Sequence, residues 1–157
     1  MYQKILVPVD GSATARSALQ EAVKLAKLIN ARLELVHVFE DMLYWLDEGY
    51  VNYAELQESF KKSGEQMLAE AKSIVQQAGL TAEIKSLEAK DGQIAPAIVA
   101  EAERWQAELI VIGTHGRSGF SRLLLGSVAG RVVRSAPMPV LLVRGGEYSI
   151  DSDQRNV

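Results

Sequence analysis

The chain has 157 residues, 48% of them hydrophobic and 24% charged, enough to bury one core of its own. A net charge of −3 argues against an extended nucleic-acid face, which needs basic side chains. The absence of cysteine excludes disulfides, thiolate metal sites and a cysteine nucleophile.

The apolar run Ile5-Leu-Val-Pro-Val9 is too short for a membrane span or a signal-peptide core. A cytoplasmic protein without membrane insertion is therefore expected. Lys4 to Val9 reads as a strand buried on both faces, because its apolar residues are consecutive rather than alternate. Pro8 belongs at the strand's end, where the missing N–H is tolerated. Asp10-Gly11-Ser12 is a turn, and Ser12 or Thr14 can cap the helix that follows. That helix carries Ala15, Ala18, Leu19, Ala22, Val23, Ala26 and Ile29 at helical spacing, and Asn30 stops it.

Leu33 to Val38 is the second strand, and a loosely patterned segment runs from Phe39 to about Ala54. The next helix carries Phe60, Met67, Leu68, Ala71, Ile74, Val75 and Ala78, and ends at Gly79. Ala82 to Leu87 is a third strand, and Ile94 to Trp105 a helix with Pro96 in its first turn. Leu109 to Ile112 is the fourth strand, Ser127 to Ser135 the fourth helix and Val140 to Val143 the fifth strand. Residues 1–144 form one domain in this reading, and 145–157 a flexible tail that is polar and without period.

Alternating strands and helices imply an α/β fold: an open, doubly wound, Rossmann-like parallel sheet with helices on both faces. Right-handed crossovers favour the strand order 3-2-1-4-5. Ligands of such sheets bind beyond the strands' carboxyl ends, where the first and fourth strands diverge. Two loops emerge there, Val9 to Ser12 and Gly113 to Gly126. The second is punctuated by glycines and leads into a helix, an arrangement suited to phosphate. Glycine lets backbone come close to an anion or take positive φ, and the first helical N–H groups point at the charge. The spacing is neither the P-loop nor the dinucleotide fingerprint. It is Gly113-x2-Gly116-x9-Gly126-Ser127.

These residues resemble the universal stress protein family, in its ATP-binding group. The resemblance runs from about residue 1 to residue 144 and rests on three stretches, Lys4 to Ser12, Glu108 to Arg117, and Leu125 to Ala129 leading into Ala136 to Val143. The family's signature Gly-x2-Gly-x9-Gly-Ser/Thr is met at every position. The resemblance implies ATP, with magnesium, as the cofactor. Adenine would lie in an apolar slot lined by Val9, Val38 and Ile112, with Pro8 and Ser12 in the same loop region and Asp10 at the adenosine. Gly113, His115, Gly116, Arg117, Gly126, Ser127 and Val128 would surround the triphosphate. It also implies a homodimer joined through Val140–Val143, an apolar edge strand that no charge interrupts.

Individual side chains have plainer roles beside these. Ser127 can cap its helix while touching phosphate, and Arg117 suits a charge-assisted contact. His115 either donates to phosphate or shapes the loop. His37 is expected to be buried and hydrogen-bonded. Phe39, Tyr44, Trp45, Tyr50, Tyr53 and Phe60 suggest a lid or partner surface beside ordinary packing. No carboxylate or glutamine adjoins the loop to position a water, so the leading expectation is a nucleotide-dependent stress-response or signalling regulator. A slow ATPase or self-phosphorylating enzyme is the second reading, and a nucleotide-independent dimeric interaction module the third.

Overall fold

In the computed structural model, residues 2–40, 53–115 and 125–145 are described. Their elements are β1 (Lys4–Pro8), α1 (Ala13–Ile29), β2 (Arg32–Glu40), α2 (Tyr53–Gln77), β3 (Ala82–Ala89), α3 (Ile94–Trp105), β4 (Leu109–Gly113), α4 (Ser127–Ser135) and β5 (Val140–Val143). The five strands form a parallel Rossmann-like sheet in the order β3-β2-β1-β4-β5, with helices on both faces, as expected.

Successive residues of a strand point to opposite faces, so a consecutive apolar run supplies two cores at once. Ile5, Val7, Leu33, Leu35, Leu109 and Val111 meet Ala18, Leu19 and Ala22 of α1 and Leu68 and Val75 of α2. Leu6, Val36, Ile110 and Ile112 meet Ile98, Ala102 and Trp105 of α3 and Ala129 and Val132 of α4. Each fully buried Val, Leu or Ile side chain among these contributes about 1.5–3 kcal/mol. Edge strands pack on fewer neighbours, and Ile84 of β3 and Leu141 and Leu142 of β5 stay exposed.

Helix ends follow the local chemistry. Ser12 accepts a 3.2 Å hydrogen bond from the Ala15 amide and caps α1. Asn30 ends α1 in the left-handed region at φ 56°, a conformation its short polar side chain tolerates. β3 runs two residues further than the alternation indicated and passes into a 3-10 turn at Lys90–Gly92, where Asp91 and Gly92 both have positive φ. Phe60, expected in the apolar stripe of α2, is instead 42% exposed.

One charged cluster lies inside, near the amino end of β2. Glu34 is buried beside Glu101 of α3, and the half-exposed Arg104 pairs with Glu101 and reaches Glu34 at 3.6 Å. Burial, then the neighbouring Glu101 carboxylate, push the Glu34 carboxyl up to about 7. The Arg104 guanidinium holds Glu101 below the usual carboxylate range. No helix among the described residues is long and apolar enough to cross a membrane.

Candidate functional site

β1 lies between β2 and β4, so the crossover after β1 runs to one side and the chain later returns on the other. The carboxyl ends of these three strands open into a cavity of about 530 Å³. Val9, Val38 and Ile112 supply apolar wall from β2, β4 and the residue after β1, together with Pro8. Asp10, Gly113 and His115 lie on the loops above, and Gly126, Ser127 and Val128 at the start of α4. Ten of the residues singled out from the sequence thus border one hollow. Ser12 does not line it, because its hydroxyl is turned to the α1 cap. Gly116 and Arg117 lie outside the described residues, as do Tyr44, Trp45, Tyr50 and residues 146–157.

The backbone around the cavity is held by specific hydrogen bonds. The Val9 amide donates to Val36 O at 2.8 Å, and His37 Nδ1 lies 2.7 Å from Val9 O. A carbonyl can only accept, so Nδ1 carries the proton and clamps the end of β1 to β2. His37 is therefore buried and hydrogen-bonded, as its place on a central strand implied. Asp10 Oδ1 accepts from the Ser12 amide at 2.8 Å, closing the turn in which Gly11 takes φ 80°.

Gly113 serves a different purpose from the one its loop suggested. Positive φ is confined to Gly11, Gly79 and Gly92 among the described glycines. A Cβ on Gly113 would instead fall 2.8 Å from the backbone carbon of Thr14, so it is glycine because the first turn of α1 passes against it. The Thr14 hydroxyl donates to His115 O and reinforces this contact. At α4, Gly126 occupies the cap position and Ser127 the first helical residue. Ser127 is thus not the cap, because the helix starts one residue earlier than a serine cap requires. It is exposed, at the end where unpaired amides and the helix dipole favour an anion.

A further wall comes from α2 and the end of β2, where the sequence offered Phe39 and Phe60 only as a lid or partner surface. Phe60, Ser63 and Met67 of α2 share one helical face and border the cavity, with Phe39 and Glu40 from the end of β2. Ile94 and Ile98 of α3 close the floor. The exposed Ser63 interrupts the apolar stripe between Phe60 and Met67 on this face, while the neighbouring Gly64 is buried against the His37 ring. Thr14 and Thr114 were also missed, since neither carries a motif position. Among the described residues, no group of three His, Cys, Asp or Glu side chains is placed to hold a metal ion.

The Universal stress protein family matches residues 1–144. Universal stress protein MJ0531 of Methanocaldococcus jannaschii is 34% identical over 144 residues, which are 92% of this chain and 83% of that protein. A universal stress protein family member from Burkholderia pseudomallei has a crystal structure that superposes with a TM-score of 0.74. It is 32% identical over 90% of this chain and 95% of its own. A universal stress protein solved with cAMP is 26% identical, with a TM-score of 0.69 over 92% of this chain and 99% of that one. One from Archaeoglobus fulgidus solved with dAMP is also 26% identical, with a TM-score of 0.64 over 90% and 98%. With the whole fold and nearly the whole length accounted for, this chain belongs to the universal stress protein family.

Proposed function

We propose that the cavity binds ATP, with magnesium on its phosphates, and that the protein is a cytoplasmic regulator whose state depends on that nucleotide. The observation that carries this reading is the joining of an apolar slot to an anion-attracting helix start in one hollow. Val9, Val38 and Ile112 offer the flat faces of a base an apolar wall, while Gly126 and Ser127 present the α4 amides. His115 Nε2, buried and without a hydrogen-bond partner among the described residues, is a further polar atom that a phosphate oxygen would satisfy. Relatives solved with cAMP and dAMP support an adenine nucleotide as the ligand class. Magnesium keeps most of its ligands as water and phosphate oxygens, so the lack of a three-residue metal cage among the described side chains is compatible with it. Two copies pair, in this reading, through the exposed outer edge of β5.

Calorimetry with ATP and magnesium tests the reading, together with a Ser127→Asp variant. A carboxylate at the first helical residue favours the helix by about 0.3–1 kcal/mol but repels a phosphate. ATP is expected to bind the wild type, and the variant to be as stable or more so while losing at least about tenfold in affinity, or roughly 1.4 kcal/mol. No heat with ATP, and no nucleotide released when the purified protein is denatured, would overturn the proposal.

A further inference from the structure

We propose that Thr114 is a positioning residue that presents the His115 ring to the ligand's phosphates with Nε2 protonated, an inference that rests on the nucleotide reading above. Thr114 is buried directly after β4 and sends hydrogen bonds in three directions. Its amide donates to Val143 O at 3.0 Å, at the end of the edge strand. Its carbonyl accepts from the Gly126 amide at 2.7 Å, at the cap of α4. Its hydroxyl lies 2.9 Å from His115 Nδ1. The backbone of His115 is held from the other side by the Thr14 hydroxyl, so both the ring and the main chain of this residue are fixed.

The direction of the Thr114–His115 bond follows from counting protons. A neutral imidazole carries one N–H, and a hydroxyl has one hydrogen to give. If Nδ1 were the donor, the Thr114 hydrogen would have no acceptor among the described residues, and the bare Nε2 lone pair would remain buried and unpaired. Two groups would then be unsatisfied, and a lone pair would face an anionic ligand. If Thr114 donates to Nδ1, a single group remains, the Nε2 proton, and it is a donor. Phosphate oxygens only accept, so this tautomer complements them. A buried donor left unmade is costly, and such a cost persists where a ligand removes it.

Nitrogen-15 NMR of histidine-labelled full-length protein, read without nucleotide at a pH where the ring is neutral, tests the tautomer directly. Wild type and Thr114→Ser are expected to show His115 protonated on Nε2, and Thr114→Val to lose that preference. Calorimetry with ATP and magnesium supplies the second arm. Thr114→Val is expected to weaken binding about tenfold, the scale of one hydrogen bond to a charged group, with Thr114→Ser near wild type. In a His115→Ala background the Thr114→Val penalty should vanish, which a merely structural threonine would not allow. An Nδ1-protonated ring in the wild type, or a Thr114→Val penalty that survives in His115→Ala, would overturn the inference. Should ATP fail to bind at all, the nucleotide reading falls, while the tautomer measurement still decides the role of Thr114. The Thr114→Ser and wild-type spectra keep that measurement decisive even if Thr114→Val does not fold.

Discussion

Gly64 of α2 rests directly on the ring of His37 in β2. A Cβ built on Gly64 would stand 2.9 Å from Nε2 and closer still to Cδ2. The ring cannot swing aside without breaking the 2.7 Å bond from Nδ1 to Val9 O in a buried setting. The contact sets how closely α2 approaches the sheet, and so how far Ser63 and Met67 stand from β2 across the cavity.

Two effects compete in Gly64→Ala. Alanine within a helix gains about 1 kcal/mol over glycine, whereas overpacking a tight site costs roughly 1–3 kcal/mol. Because the obstacle is a tethered ring rather than a flexible chain end, overpacking is expected to win by about 1 kcal/mol. Thermal unfolding should show a lower midpoint for Gly64→Ala, and a smaller drop when the same change is made in a His37→Ala background. A more stable single variant would show that α2 is not held against the ring.

Stability should also depend on pH through Glu34. Its folded pKa is raised from 4.5 to about 7, so between these values the folded state holds a proton that the unfolded chain releases. Stability is then expected to fall as pH rises through this window. Glu101, held low beside Arg104, acts in the opposite sense and at lower pH, below its unfolded value of 4.5. Glu83 across the strand pair adds to the effect on Glu34, while Arg104 opposes it. Glu34→Gln should flatten the slope and stabilise the protein at pH 8, where the wild type must hold a buried carboxylate ionised. Denaturant midpoints at pH 5 and pH 8 measure it. Equal wild-type midpoints at the two values would contradict it.

The dimer proposal has its own test at β5. Leu141 is 42% exposed on a strand that, among the described residues, pairs with β4 alone. A lysine there places charge on an edge otherwise free of it, a common natural defence against strand pairing. Leu141→Lys is expected to sediment as a monomer with wild-type stability, and the wild type as a dimer at micromolar concentration. A monomeric wild type would remove the proposal.

Much of this architecture was readable before any coordinates. Consecutive apolar residues at Ile5–Val7 and Leu109–Ile112 can satisfy only a strand covered on both sides, and both runs are buried at every position. Asn30 and Gly79 marked helix ends because left-handed backbone is inexpensive for those residues. The aromatic residues were harder to read. Phe60 repeats at helical spacing with Met67, and periodicity alone does not tell a core face from a cavity wall.

Local sequence chemistry alone thus determined the order of elements, the faces they bury and the two loops that meet at the switch point. Those features depend on side-chain period and turn propensity, which act between near neighbours in the chain. Only the tertiary structure decided that Gly113 must be glycine because Thr14 crosses it, that Thr114 bridges Val143, Gly126 and the His115 ring, and that Glu34 meets Glu101. Apart from the adjacent His115 ring, these partners lie 12 to 99 residues apart, so no local pattern encodes them. They arise when buried polar groups and close-packed backbone must be satisfied by whatever the fold brings alongside.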